Sequence, residues 1–551
     1  MNRVETLRIL FRSLDRTNFD GDRVELIVSV DFHPEQHNVI QLARNFHFKH
    51  GSKQILVSSA ARGLAKSWYQ AWLPPDDNSR AVILEDDIEL SAGWYKLLKH
   101  LWLSYGDSQD LAGISLQRQT LVPYEDVSQR SREIVNGHKP FMYPLVGSIA
   151  FSPHPKVWGL FLRWIDTIQY EYFDVSTPGL VTSNWWNTLD KKHMWTQHFI
   201  YYSLLFDYYT LYINLPGGQT AAAHLRAKGA HFSQSQGHDF PVARSIQTCC
   251  PIPRLQKFDW DGEILKQSPS SSVRQTIMLR TVVRAAQRIA EESKFTYLMF
   301  LNSGFLEMGK NWVCNLRRVA PSVLRSVIFI TTDTPTARSL HTFAPDLFIF
   351  TVHSIWTQAA DFGTYAYYNS VLDRMRIQLL LLQAGVAIQI VEADQIWKEN
   401  VHGDILHALE VADLVVVEEG DIVYAEDIIK RFCGGFYAIK PTLTDFYESY
   451  FKEYESSLLK RAPKDLNAKI ESFLDDQAFL TLRAREENVN TSFMPDCVYV
   501  TGLWYALDSR VRERCPHPKI IHNNYIIGER RKVARAKTED QWFLSSQGSC
   551  M

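Results

Sequence analysis

The chain is short of cysteine, of long apolar runs and of net charge, and each shortage narrows what it can be. Its seven cysteines are odd in number and scattered without CxxC spacing, with Cys249 and Cys250 side by side. That pattern argues against a disulfide framework or a zinc site and points to a reducing compartment. No apolar stretch approaches the roughly 20 residues that span a bilayer. The opening segment carries Arg3, Glu5, Arg8, Arg12, Asp15 and Arg16 and shows no signal-peptide core. A formal net charge of -2 supplies no field to gather nucleic acid or anionic lipid, so any anion must be bound locally. The expectation is a soluble, cytoplasmic protein with no nucleic-acid partner and no membrane span.

What is present is ordinary globular composition over 551 residues, too many for one hydrophobic core. In the first half, VELIVSVD (24–31), KQILVS (53–58) and AVILEDD (81–87) read as buried strands. Helices follow them near 63–72 and 94–103, an alternation that implies an α/β unit with a mostly parallel sheet. The pattern stops where CCPIPR, DWDG and SPSSS supply Pro, Gly and Ser. The expected domains are therefore 1–245 and 274–551, joined by a linker at 246–273. After the linker the alternation restarts, with a helix at 274–292, strands at 296–301, 326–331 and 347–352, and a helix at 367–383 ending near Gly385. A strand at 386–391 follows directly.

Both halves place acids at the end of an apolar strand: Glu85-Asp86-Asp87 after AVIL, and Glu392-Ala393-Asp394 after VAIQIV. In open α/β sheets ligands bind outside the carboxyl ends of the strands. Carboxylates one residue apart on extended chain share a face and can hold Mn2+ or Mg2+ together with diphosphate oxygens. The alternative for either cluster is a solvated helix cap.

The segment from RGLAKSWYQAW to AVILEDDIELSAGWYKLLKHL resembles the nucleotide-sugar-binding half of GT-A glycosyltransferases of the N-acetylglucosaminyltransferase I kind, closely over 24–103 and loosely to 232. The resemblance implies that Asp87, with Glu85 and Asp86, holds metal and ribose, and that Asp31 and Arg62 approach the nucleotide. An inverting transferase also needs a carboxylate base. The comparable segment, MWTQHF at 194–199, has no acid, which leaves Asp190 or His198 as substitutes. His224, Arg226 and His231 would close over the diphosphate. Trp185, Trp186 and Trp195 suit either sugar stacking or core packing.

The second half carries four segments in order: FGTYAYYNSVLDRMRIQLLLLQAGVAIQIVEADQIW, CGGFYAIKPT, FLDDQAFL and HPKIIHNNYIIGERRKVARAK. These resemble the nucleotide-diphospho-sugar transferase family that includes plant xylosyl- and arabinosyltransferases, over about 297–542. The resemblance implies a metal shell of Glu392, Asp394 and His522, with glutamate replacing the family's usual first aspartate. Gly434 and Gly435 would admit the sugar, while Asp475 and Asp476 would bind its hydroxyls. Gln477 would lie beneath the anomeric carbon. Asn524, Gly528 and Lys532 would cover the diphosphate. Arg376, on the helix before the strand, would meet a phosphate or the base.

The expected whole is a pair of tandem Rossmann-like GT-A domains. Together they form a bifunctional enzyme that moves sugars from nucleotide-diphosphate donors, UDP-type, to a glycan or glycoprotein acceptor. The second domain would retain anomeric configuration and the first would invert it. A catalytic second domain with an acceptor-binding first domain is the alternative, and the Golgi lumen is the alternative compartment if the sequence is part of a longer one. A nucleotidyltransferase would want a Gly-rich, basic phosphate loop after its first strand, and neither VSVDFHPEQ nor FLNSGFLEMG supplies one.

Overall fold

The computed structural model of the chain describes all residues except 1–2, 121–132, 168–174, 176, 178–179, 181–182, 184–193, 228–233, 247–253, 266–271, 353–359, 425–426, 466, 471–472, 496 and 507–509. The chain divides into two compact units, one of Met1–Asp166 with Val175–Arg274 and one of Thr167–Asp174 with Gln275–Met551. Among the described residues no helix is long and apolar enough to cross a membrane. The mixed α/β fold class read from the sequence is present.

The first unit opens on the helix Val4–Arg16, whose Leu7, Leu10, Phe11 and Leu14 recur at helical spacing and are buried. They pack with Ile88, Leu90, Trp94, Leu97 and Ile114 in one apolar cluster. The strands Leu26–Val30 and Lys53–Val57 pair in parallel. The larger sheet runs Phe151–Pro153, Leu111–Ser115, Tyr209–Tyr212, Phe141–Tyr143, Gln256–Lys257. Its pairings alternate between antiparallel and parallel. The expected strand at 81–87 is not one. That segment makes a single bridge, Ile83 to Phe151, and turns at Asp86-Asp87 before the short strand Ile88–Leu90 begins.

The second unit is built on a seven-stranded sheet in the order Phe348–Thr351, Val327–Thr331, Thr296–Leu301, Ile388–Val391, Asp427–Ile439, Leu414–Tyr424, Thr491–Phe493. The first four strands are parallel, and their near-continuous burial is what a sheet covered on both faces demands. The helix Tyr365–Gln383 enters the strand Ile388–Val391 through a tight turn. Gly385 has φ +79°, its amide bonds Leu382 O, and the amide of Val386 bonds Leu381 O, the reciprocal pattern that closes a helix where a side chain would be strained. A smaller sheet pairs Ile520–His522 antiparallel with Gln395–Trp397 and parallel with Tyr499–Val500.

The reading of no disulfides is overturned. Cys314 is bonded to Cys550 and Cys497 to Cys515, leaving Cys433 free and buried among the described residues. Spacing could not reveal this, because one pair lies 236 residues apart and pairing follows the fold and not local motif. The support for a reducing compartment goes with it. Replacing Cys550 with Ser should cost about 2–4 kcal/mol in urea unfolding of the full chain under non-reducing conditions. An unchanged midpoint would show that the bridge is absent or without effect.

Candidate active site

The strand Ile388–Val391 ends at the mouth of the parallel sheet, and Glu392 and Asp394 follow it at once. Directly across the smaller sheet, Gln395 is the register partner of His522. That pairing carries the imidazole to the acids: Nε2 of His522 is 3.1 Å from Asp394 Oδ1 and 3.2 Å from Glu392 Oε2. The Asn523 amide donates to Asp394 O at 2.9 Å and locks the register. Lys532, on the helix Glu529–Thr538 that Gly528 caps, donates to Asp394 Oδ2 at 2.5 Å. One oxygen of Glu392 also meets Arg374 Nη1 at 3.3 Å.

Asp394 and His522 are buried and Glu392, Lys532 and Arg374 half-buried, so their charges are set largely by one another. Burial alone would raise Asp394, but Lys532 and His522 outweigh it and hold the carboxyl far below its usual range. Glu392 is likewise lowered against its burial, chiefly by the His522 hydrogen bond. Burial would lower His522, and the two carboxylates hold it well above its ordinary value. Three donor atoms, Glu392 Oε2, Asp394 Oδ1 and His522 Nε2, thus converge within the span of one cation's ligand shell. Gly435 faces Glu392, and a Cβ there would overlap the carboxylate. The residues present fit a divalent cation held by two acids and an imidazole.

On the other side of the same strand, Gly434 donates its amide to Gln477 Oε1 at 2.7 Å, and a Cβ on it would stand 3.2 Å from Asp476 Oδ2. Asp475 caps the helix Asp476–Glu486 by accepting from the Ala478 amide at 2.9 Å, and it also pairs with Arg431. Burial, with Asp475 beside it, pushes Asp476 up to about 7, while Arg374 pulls the other way. Asn524 donates to Glu419 Oε1 at 2.8 Å and accepts from the Gly502 amide at 2.6 Å.

Arg376 is not at this site. It pairs with Asp373 and Glu455 on the exposed flank of its helix. Two residues along a helix rotate a side chain by about 200°, so Arg374 takes the inward place. Tyr499 and Glu419, which with Cys433 lie about the far nitrogen of His522, carried no motif and were missed, and Cys433 was given no role although it opens the segment CGGFYAIKPT. The only hint was a cysteine immediately before the paired glycines.

In the first unit the acids do not converge. Glu85 accepts from Trp68 Nε1 at 3.2 Å. Asp86 and Asp87 both pair with Arg3, and His224 Nε2 lies 3.3 Å from Asp87 Oδ2. Burial and the neighbouring acids push Glu85 up to about 7, and burial pushes Asp86 up to about 6 against the pull of Arg3. Asp87 Oδ1 is buried with no hydrogen-bond partner. The three-ligand groups found among the described residues all lie in the second unit, and no step through a cation is derived for the first.

The other candidates here serve the loops and the core. Asp31 accepts the amides of Arg62 and Gly63 at 2.9 and 3.1 Å, and Arg62 donates to Gln70 and Ser29. His198 lies on the helix Trp195–Phe206, 1% exposed, with Nδ1 3.1 Å from Met194 O and 3.3 Å from the Tyr69 hydroxyl. That burial and those two partners place it in the core. Trp195 is 2% exposed and stacked on Trp68, which assigns it to packing. Arg226 bonds backbone carbonyls. Asp190, His231, Trp185 and Trp186 lie outside the described residues.

Residues 322–536 match the family model described as Nucleotide-diphospho-sugar transferase. The second unit therefore carries a glycosyltransferase domain of that kind. No curated protein sequence matches the chain. Among solved structures, apo mouse xyloside xylosyltransferase 1 is 14% identical over 42% of this chain and 98% of its own, at TM-score 0.29. The galactosyltransferase LgtC with donor and acceptor sugar analogues is 10% identical over 44% and 96%, at 0.28. The bifunctional glycosyltransferase WbbM, in apo form, is 8% identical over 93% and 97%, at 0.29. At those TM-scores none of these likenesses bears on the site.

Gly435→Ala should push the Glu392 carboxylate away from His522 and weaken Mn2+ binding by about 10–100-fold, with little change in melting temperature. Calorimetric titration reads the affinity. An unchanged value would remove Glu392 from the shell.

Proposed function

We propose that the second unit transfers a sugar from a nucleotide-diphosphate donor, UDP-type, to a glycan or glycoprotein acceptor. Glu392, Asp394 and His522 would hold Mn2+ or Mg2+. The observation that carries this reading is the meeting of those three side chains, with Lys532 on Asp394, at the carboxyl end of a parallel sheet inside the matched segment. When bound, the cation would supply charge neutralisation for the leaving diphosphate.

The rest of the chemistry belongs to the chain. Lys532 and the helix N-terminus behind Gly528 offer positive charge and free amides to the diphosphate. Asp476 accepts from sugar hydroxyls. Gln477, held by the Gly434 amide, keeps its place beneath the anomeric carbon. Among the described residues at this site, Glu392 and Asp394 are engaged with His522 and Lys532, Asp475 with Arg431, and Asp476 is assigned to the donor sugar, which leaves none of these four for the acceptor. That favours retention, in which the acceptor attacks from the face the diphosphate leaves and its proton goes to the departing phosphate oxygen.

The reading in which both units are catalytic requires a second reactive site. Arg3 and His224 already neutralise Asp86 and Asp87, which favours the alternative of a first unit that binds acceptor. The two disulfides favour an oxidising, lumenal compartment over the cytoplasm.

A hydrolysis screen of UDP- and GDP-sugars with Mn2+ tests these readings together. Asp394→Ala should abolish donor turnover, a fall of at least about 10²-fold, and Asp87→Ala should leave every product unchanged. Loss of one product in Asp87→Ala would restore the bifunctional reading. No turnover by the wild type with any donor would defeat the assignment as a whole.

A further inference from the structure

His522 has two ring nitrogens, and only Nε2 faces the oxygen ligands Glu392 and Asp394. Nδ1 faces a second set. It is 2.6 Å from the Tyr499 hydroxyl and 3.8 Å from Cys433 Sγ. Cys433 Sγ is itself 3.3 Å from the Tyr499 hydroxyl. Glu419, from the neighbouring strand of the long hairpin, brings a carboxylate oxygen so that the Glu419, Cys433 and His522 ligand atoms all lie within 4.8 Å of one another. The hairpin register shifts between Val416 and Glu418 and again between Glu418 and Asp421, the kind of irregularity that re-aims a side chain. Cys433 is fully buried and His522 nearly so, while Glu419 is half-exposed and leaves a way in.

We propose that Glu419, Cys433 and His522 Nδ1 form a second cation site, selective for thiophilic ions such as Zn2+ or Cd2+, which is antagonistic to the hard-cation site on the other edge of the same imidazole. The donor chemistry decides the selectivity. Thiolate, imidazole and one carboxylate are a zinc-type set, whereas Glu392, Asp394 and His522 are oxygen-rich. The spacing agrees. Tetrahedral zinc with sulfur at about 2.3 Å and nitrogen at about 2.1 Å sets those two atoms about 3.6 Å apart, close to the 3.8 Å found. Binding breaks the Cys433 S–H and His522 Nδ1–H bonds and forms sulfur–metal and nitrogen–metal bonds, both protons leaving to solvent by way of Glu419. The Tyr499 hydroxyl must swing off Nδ1.

The antagonism follows from valence. A neutral imidazole has one lone pair and one N–H. A cation on Nδ1 therefore puts the proton on Nε2, which donates it to Asp394 and is lost as a ligand to the oxygen-rich site. This inference shares His522 with the reading above, but its primary readout does not depend on sugar transfer, so the two fail separately.

The experiment is a Cd2+ titration of the full chain, followed by the ultraviolet thiolate-to-cadmium charge-transfer band. The wild type should develop the band with one equivalent, and Cys433→Ser should lose it. Tyr499→Phe, which frees Nδ1, should tighten Cd2+ binding. Mn2+ should raise the half-saturating Cd2+ concentration about tenfold in the wild type. Equal bands in the wild type and Cys433→Ser would assign the sulfur elsewhere and overturn the site. A Cd2+ curve unmoved by Mn2+ would overturn the antagonism. Weaker Cd2+ binding in Tyr499→Phe would make the phenol a ligand and overturn the stated donor set.

Discussion

The second unit's site depends on how the charge of Asp394 is met. One oxygen faces His522 and the other Lys532, and all three side chains are withdrawn from water. A buried carboxylate left alone would be costly, so these partners are not optional. They come from sequence 128 and 138 residues away. The chain must therefore fix the position of a distant strand and helix to within a hydrogen bond. It does so with backbone: the register of Gln395 against His522, the Asn523 amide on Asp394 O, and the Asn523 side chain on Lys532 O. The Cys497–Cys515 bridge ties the chain just before the strand Tyr499–Val500 to the chain just before the strand Ile520–His522.

Much of that arrangement was legible because it rests on local rules. A helix that ends on Gly385 and runs straight into an apolar strand can only deliver the next residues to the sheet's edge. Glu392 and Asp394 were therefore readable as candidate site residues from position alone. His522 was readable only through order, because nothing local distinguishes a histidine after Ile520-Ile521 from a core one. His198 shows the hazard, since it too has an apolar pair beside it, Phe199 and Ile200, and lies in the core.

What escaped the sequence did so for physical reasons. The choice between Arg374 and Arg376 turns on helix phase, which is uncertain by a residue when both flanks carry charge. The strand read at 81–87 is apolar enough, but a strand needs a partner along its length, and here only Ile83 has one. The disulfides depend on chain paths that composition does not record. Arg3, read as a feature of a charged terminus, is placed by the burial of Leu7, Leu10, Phe11 and Leu14, which sets the helix whose start it occupies.

Arg3 is also one of the features that separates the two acidic clusters. In the second unit the positive charges on Asp394 include a histidine that can surrender its proton and become a ligand, so the cluster can exchange a proton for a cation. In the first unit Asp86 meets a guanidinium, which does not deprotonate and has no lone pair to offer, and Asp87 meets both that guanidinium and His224. A cation could displace Arg3 there only by moving a side chain whose helix is anchored by four buried apolar residues. The same acidic pattern at the end of an apolar segment thus joins a three-ligand group in one unit and, among the described residues, none in the other. Part of the difference lies in a residue remote in sequence from the motif.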